Sequence, residues 1–177
     1  MEPRDSGRLV AIGFAGSRRL GIGLAAIIVV LDQVTKTLVR ELLPLHASVT
    51  VVPGLVDLTH VQNTGAAFGF LSTADFPFKS AVMTLVAIAA LLAIGTYAIR
   101  SASQGLVAQI GLAIILGGAI GNVIDRITAG YVIDFVDVYW RDHHFWAFNV
   151  ADSAITVGAT LLILDMLALR RHVSEIV

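Results

Sequence analysis

The sequence predicts a membrane protein built on four transmembrane helices, and three observations lead to this fold class. Of its 177 residues, 56% are hydrophobic and only 14% are charged. The mean hydropathy of +0.83 is too high for an ordinary soluble domain. Four segments also approach the roughly 20 residues of mainly apolar sequence that a bilayer requires. We therefore predict an all-α membrane protein, a single integral-membrane domain over residues 1–177.

Composition also excludes several classes of function. The net charge of -1 offers no basic field for nucleic acid, so no nucleic-acid partner is expected. The chain has no Cys, which rules out disulfides, thiolate metal sites, cysteine nucleophiles and lipidation of the chain on Cys. The zinc motif HExxH is absent as well. Neither a metal nor another cofactor is expected.

The first predicted span covers about residues 20–39 and follows a short polar segment, which we interpret as a cytosolic tail. The span is long enough only if Asp32, Gln33 and Lys36 are included. Asp32 and Lys36 stand at i, i+4 on one helix face and can form an ion pair. A charge inside a membrane is a functional candidate. The alternative is a structural pair whose charged ends snorkel to the outer surface and hold the helix ends together.

The first loop, residues 40–77, contains a predicted β-hairpin. Its centre, Ser48 to Val61, is rich in Val and Thr around a Pro53-Gly54 turn. Asn63 follows in a run of small residues, where its amide can bridge two neighbours. The simpler interpretation of Asn63 is a turn residue.

The second and third spans cover about residues 80–99 and 106–124, and a short connection makes them antiparallel neighbours. Gly117 and Gly121 form a GxxxG pattern that permits close approach of another helix or of a loop. Asn122, Asp125 and Arg126 follow on adjacent positions of one face and are predicted to clamp the next loop. Arg126 is expected to orient its neighbours, because a guanidinium does not release its proton.

The second loop, residues 127–147, has the aromatic composition of a membrane interface, and we expect it to lie along the surface. Asp134 has apolar neighbours on both sides, so desolvation should favour its protonated form. The fourth span, about residues 148–169, begins with Asn149 and Asp152 at the spacing of a capping box. Asp152 is therefore either a helix cap or a catalytic carboxylate.

The distribution of basic residues predicts the orientation. Seven arginines fall in the two termini and the short turn between the second and third spans: Arg4, Arg8, Arg18, Arg19, Arg100, Arg170 and Arg171. The two large loops are mainly acidic. By the positive-inside rule both termini are cytoplasmic, and the carboxylates face the outer surface.

Two carboxylates held together in a low-dielectric site cannot both ionise, so one can act as an acid while the other activates water. Such a pair can hydrolyse an amide without a covalent intermediate. A second reading is a proton-coupled carrier that uses Asp32, Asp134 and Asp152 as a relay. A third is a structural or assembly subunit with a polar cap.

Five sequence blocks carry a resemblance to a known family. They are DQVTK (residues 32–36), NTGAAFGF (63–70), GGAIGNVIDR (117–126), YVIDF (131–135) and FNVADSAITVG (148–158). In this order they resemble the signature blocks of lipoprotein signal peptidase, also called signal peptidase II. The resemblance covers about residues 20–171.

The resemblance implies a four-helix bundle with a small extracytoplasmic β-cradle and an interfacial surface helix, which we place in the second loop. It also implies that Asp134 and Asp152 are the catalytic aspartates. Supporting positions carried over by motif are Asp32, Lys36, Asn63, Gly65, Gly118, Asn122, Arg126, Asn149 and Ala151. The implied substrate is a diacylglyceryl-modified prolipoprotein, cut before its lipidated cysteine at the bacterial cytoplasmic (inner) membrane. A monomer in contact with membrane lipid is expected.

Overall fold

The computed structural model describes residues 4–65, 77–100 and 105–174, with side chains from residue 19 to residue 168. Its elements follow one another as α1 (Arg4–Leu42), β1 (Ser48–Val52), β2 (Val56–Asn63), α2 (Lys79–Arg100), α3 (Leu106–Thr128), β3 (Val132–Trp140), β4 (His143–His144) and α4 (Val150–Ser174).

Within the described residues, four helices are long and apolar enough to cross a membrane, as predicted. The qualifying segments are Arg19–Leu42, Lys79–Arg100, Leu106–Thr128 and Val150–Ala168. Helix α1 begins at Arg4, so it also includes residues that we had expected to form a separate polar tail. The chain thus combines four membrane helices with a small sheet.

The sheet is antiparallel, with strand order β1-β2-β3-β4. The predicted hairpin is confirmed: β1 pairs with β2, and Gly54 lies in their turn at φ 77°, in the left-handed region that favours glycine. Strand β3 comes from the second loop and adds to the edge of β2. The sheet is therefore larger than a hairpin.

The surface helix expected in residues 127–147 is wrong, because β3 and β4 occupy most of this loop. Residues 132–139 are rich in Val, Ile, Phe and Tyr, a β-branched and aromatic composition that favours a strand. The three-residue spacing of Asp134 and Asp137 had suggested a helical turn. In the structure these aspartates belong to one extended strand.

Helix α3 lies at the centre of the bundle and packs against the other three helices. Its glycines allow this, which confirms the predicted close approach. A Cβ at Gly117 would lie 2.8 Å from the carbonyl oxygen of Ala25 in α1, and one at Gly118 would collide with the carbonyl oxygen of Ala151 in α4. One face of α3 therefore fits α1 and another fits α4.

The sheet joins the bundle where α1 and α3 end and α4 begins. A buried cluster of Val39, Ile133 and Phe135 packs β3 against the last turns of α1. The polar ends of three helices and the buried end of β3 consequently meet in one place.

Candidate active site

Asp134 lies in the buried half of β3, and its side chain is held by two amides. Asn149 Nδ2 donates a hydrogen bond to its Oδ1 at 2.7 Å, and Asn63 Nδ2 donates to its Oδ2 at 3.0 Å. Asn63 therefore has the bridging position that its amide allowed. Because both oxygens have a donor, the direction of the carboxyl group is fixed.

Asp152 lies in the first turn of α4, three residues after the N-cap residue Asn149. Asn149 Oδ1 accepts a hydrogen bond from the backbone N–H of Asp152 at 2.9 Å, and the Asp152 carboxylate interacts with the backbone of Asn149. This is the capping arrangement that the spacing predicted. Asn122 Nδ2 also donates to Asp152 Oδ1 at 2.8 Å. The residue is thus both a helix cap and a member of a buried polar site.

Asn149 connects the two carboxylates and is fully buried. Its Oδ1 faces the Asp152 backbone, so its Nδ2 must face the other way, toward Asp134 and the carbonyl oxygen of Ile133 at 3.2 Å. One amide therefore fixes the start of α4 and the acid of β3 relative to each other.

Lys36 is the buried cation of the site. Its ammonium donates to Asp32 Oδ2 at 2.8 Å, Asp125 Oδ2 at 2.9 Å and Asn122 Oδ1 at 2.8 Å. These three acceptors match the three hydrogens of an ammonium group. The side chains of Lys36 and Asp32 are 1% and 0% exposed, so the interpretation as a snorkelling pair is wrong. Lys36 reaches α3 and not the membrane surface.

This contact sets the direction of Asn122. An ammonium only donates hydrogen bonds, so the oxygen of the Asn122 amide must face Lys36 and its nitrogen must face Asp152. The orientation of Asp152 therefore depends on a cation one contact away.

Two residues outside the predicted site belong to the same network. Asp125 Oδ2 accepts the backbone N–H of Ile133 at 3.4 Å in addition to Lys36, and its Oδ1 accepts Gln33 Nε2 at 3.0 Å. Asp125 thereby joins Lys36 to the residue before Asp134. Asp125 lies beside Asn122 on one face of α3, and this position in the sequence could have assigned it to the site. Gln33 had no comparable signal beyond its place beside Asp32.

The predicted clamp on the second loop is made by Asp125, which accepts the Ile133 N–H, whereas Arg126 donates its hydrogen bond to the first loop. Its Nη2 donates to the carbonyl oxygen of Gly65 at 3.0 Å, and the backbone N–H of Gly65 donates to Asn63 Oδ1 at 2.8 Å. Arg126 also interacts electrostatically with Asp152 and Asp134. It holds the loop that delivers Asn63 to Asp134.

The remaining predicted positions control how closely the helices approach. Ala151 N–H donates to Asp32 Oδ1 at 2.9 Å, which gives a partner to a free amide in the first turn of α4. Gly118 leaves room for the Ala151 carbonyl group. All eleven residues predicted from the sequence thus lie in one connected cluster.

Burial dominates the electrostatics of Asp134. Desolvation, followed by the nearby negative charge of Asp152, raises the pKa of Asp134 to about 7, while the hydrogen bonds from Asn63 and Asn149 oppose this rise. Asp134 therefore keeps its proton to a higher pH than an ordinary aspartate does. Such a pair can supply a proton and accept one in the same reaction.

Among the described residues, no three His, Asp or Glu side chains are placed to hold a metal ion.

Known proteins of one family resemble this chain in sequence and in fold. A family model described as signal peptidase (SPase) II matches residues 24–168. A lipoprotein signal peptidase of Geobacter metallireducens is 51% identical over 154 residues, covering 86% of this chain and 93% of the relative. One of Maridesulfovibrio salexigens is 50% identical over 143 residues, covering 80% and 91%. A bacterial membrane enzyme solved by the in meso method matches with a TM-score of 0.74 and 33% identity, covering 84% of this chain and 88% of that one.

Proposed function

Because the chain belongs to the signal peptidase II family, we propose that it is an aspartic endopeptidase that removes signal peptides from diacylglyceryl-modified bacterial prolipoproteins. Cleavage takes place before the lipidated cysteine. The observation that carries this proposal is the pair of carboxylates, buried Asp134 and half-buried Asp152, which Asn149 joins. The family supplies the substrate class, and the pair supplies a chemistry that hydrolyses an amide without a covalent intermediate.

In the proposed mechanism Asp134 begins as the acid and Asp152 as the base. The raised pKa of Asp134 supports this assignment, because Asp134 retains its proton where an ordinary aspartate has lost it. Asp152 takes a proton from water as the water oxygen attacks the scissile carbonyl carbon. Asp134 gives its proton to the carbonyl oxygen, forming a tetrahedral diol.

Collapse of the diol completes the reaction. Asp152 transfers its proton to the amide nitrogen, the carbon–nitrogen bond breaks, and a diol hydroxyl returns a proton to Asp134. The products are the signal peptide with a new terminal carboxylic acid, which then loses its proton to water, and the free amine of the lipidated cysteine. Both aspartates recover their starting states.

The surrounding cluster acts by positioning. Lys36 orients Asn122, Asn122 and Asn149 hold the two carboxylates, and Arg126 with Gly65 brings Asn63 to Asp134. A reacting pair needs such fixed geometry because small displacements of the reacting groups are costly in rate. These residues touch the catalytic groups and are not proposed to exchange protons with the substrate.

The location fits the substrate. An apolar signal peptide and two acyl chains can approach between the membrane helices, while the scissile amide must meet water at the interface. We place both termini in the cytoplasm and the active site near the outer face of the inner membrane, following the distribution of arginines.

The test is cleavage of a diacylglyceryl-modified prolipoprotein by the purified protein in detergent, alongside Asp134→Asn and Asp152→Asn. Asparagine keeps the shape of aspartate and removes its acid-base function. We expect each variant to lose at least about 10²- to 10⁴-fold in turnover while remaining folded. Near-normal cleavage by Asp134→Asn would show that the pair is not the catalytic site. If the folded parent cleaves no lipidated substrate, the proposed function is wrong, and proton-linked transport is the next function to test.

A further inference from the structure

Helix α2 makes a hydrogen bond to the connection between α3 and β3, and the proposed mechanism does not use this contact. Ser80 lies in the first turn of α2, and its hydroxyl donates to the carbonyl oxygen of Gly130 at 2.8 Å. Gly130 lies between the end of α3 at Thr128 and the start of β3 at Val132. Ser80 therefore reaches the segment that leads from α3 into the strand of Asp134.

Gly130 has the backbone conformation and the space that this contact requires. Its φ of 81° lies in the left-handed region, and its N–H donates to the carbonyl oxygen of Arg126 at 3.1 Å, which ends α3. A Cβ at Gly130 would lie 2.9 Å from Ser80 Oγ. A side chain at Gly130 would therefore strain the turn and displace the Ser80 hydroxyl.

Two other elements hold the rest of this connection. Asp125 Oδ2 in α3 accepts the backbone N–H of Ile133 at 3.4 Å, and Asn149 Nδ2 donates to the Ile133 carbonyl oxygen at 3.2 Å. Asp134 is the next residue. The backbone that leads to Asp134 is thus held from α3, from the start of α4 and, through Ser80, from α2.

The Ser80 hydroxyl does not serve its own helix. A serine in the first turn that stabilised only α2 would bond to the backbone of that turn. Thr84, one turn later, bonds within the helix: its hydroxyl donates to the Ser80 carbonyl oxygen at 2.8 Å. The two hydroxyls lie on one helix, but only that of Ser80 is shown bonding to the connection before β3.

Helix α2 has the surface that an apolar partner needs. Among the four membrane segments, that of α2 has the smallest buried share, and it packs mainly against α3. Leu85 and Leu92 are both 65% exposed. An apolar signal peptide that enters between the membrane helices therefore finds free apolar surface on α2.

We propose that Ser80 is a positioning residue for catalysis, whose hydroxyl holds the Gly130 carbonyl and couples the position of α2 to that of Asp134. This inference rests on the proposed function. A signal peptide packed against α2 acts on the catalytic strand through this hydrogen bond. Ser80 itself exchanges no proton with the substrate.

The first test measures kcat and KM against pH with a diacylglyceryl-modified prolipoprotein, for the parent and for Ser80→Ala. We expect kcat to fall about two- to tenfold, the value of one hydrogen bond, with a smaller change in KM. The limb near pH 7 should move to lower pH, because a less firmly held Asp134 is less desolvated. Ser80→Thr keeps the hydroxyl and should restore both quantities. Thr84→Ala is the matched control and should change neither.

The second test does not depend on cleavage. Hydrogen–deuterium exchange in detergent, followed by mass spectrometry, reports on the backbone N–H groups of residues 129–135. Ser80→Ala should speed exchange in this segment, because Gly130 and Ile133 lose part of their support. Thr84→Ala should leave the exchange as in the parent.

Several outcomes would overturn the inference while the proposed function stands. These are parental kcat and pH limb in Ser80→Ala, a loss of activity that Ser80→Thr does not restore, and equal effects of Thr84→Ala. A lower melting temperature of Ser80→Ala with unchanged kcat and limb would show a structural role only. If the parent cleaves no lipidated substrate, the proposed function fails and the catalytic role of Ser80 fails with it, whereas faster exchange in Ser80→Ala would still show the contact with the connection before β3.

Discussion

Two regions of the molecule place carboxylates close together but satisfy them differently. The inner cluster consists of Lys36, Asp32, Asn122, Asp125, Asn149, Asp134 and Asp152. The outer row crosses the sheet and consists of Thr50, Asp57, Asp137 and His144. In the inner cluster Lys36 is buried and meets three acceptors, and each carboxylate of the proposed pair accepts from an asparagine. In the outer row, two buried oxygens have no donor within the described residues, and the imidazole of the single ion pair is 55% exposed.

The difference shows that this fold keeps its fixed, fully hydrogen-bonded polar residues inside and its partly exposed polar residues on the sheet. A buried cation and its partners are stable only when every hydrogen bond is made, so the inner cluster has one geometry. The outer row is partly open and retains acceptor capacity. Substitutions in the two regions should therefore have effects of very different size.

The largest effect is expected from Lys36→Met. This change leaves Asp32 and Asp125 buried without their cation, which costs about 3 to 5 kcal/mol when a buried pair is broken. It also releases the Asn122 amide, so cleavage should be lost. Thermal unfolding in detergent and the cleavage assay measure the two effects. Arg40→Met, which removes an exposed cation one turn later, is the control and should change neither.

The next effect is expected from Gly118→Ala. The added methyl group would collide with the Ala151 carbonyl oxygen and push α4 away from α3, at a cost of about 1 to 3 kcal/mol. Gly23→Ala is the matched control and should not lower the melting temperature in this way, because no atom lies within 4 Å of its added Cβ. Similar melting temperatures for the two variants would contradict the tight α3–α4 contact.

A smaller effect is expected in the pH profile. If the active form has one proton on the pair, kcat/KM should fall as pH rises through about 7, where Asp134 loses its proton. This limb belongs to the pair as a whole. Asn63→Ala removes a hydrogen bond that lowers the pKa of Asp134, so the limb should move to higher pH. Thr64→Ala, at the exposed neighbouring position, should leave the limb in place. A limb that moved to lower pH in Asn63→Ala would contradict the assignment.

The smallest effect is expected from His144→Gln. The Asp137–His144 pair lies at a partly exposed position, and such pairs contribute about 0 to 1 kcal/mol. Thermal unfolding should therefore shift little. A loss of stability as large as that of Lys36→Met would remove the contrast between the two regions.

The helices were predicted from local patterns in the sequence, whereas the residues of the inner cluster were named from the resemblance of five sequence blocks to signal peptidase II. Long apolar runs define the helices. The motif positions converge because the ends of α1 and α3 and the start of α4 meet at one end of the bundle. The hairpin also had a local signal in Pro53-Gly54.

The errors came from partners that are distant in the chain. Lys36 was interpreted as snorkelling because its acceptors Asn122 and Asp125 lie more than 80 residues away. The second loop was assigned a helix because β3 forms its sheet with β2, which precedes it by two membrane helices. Asp125 was named beside Asn122, but its contact with Ile133 depends on where β3 lies.

The position of Asn149 at the start of α4 determines when the proposed catalytic pair can assemble during synthesis of the chain. The same side chain starts α4 and holds Asp134, and α4 is the last helix of the described chain. The proposed catalytic pair therefore exists only after this helix has been synthesised and has docked beside α3. An unfinished chain that ends before α4 carries Asp134 without Asp152 and Asn149, so the proposed catalytic pair forms last.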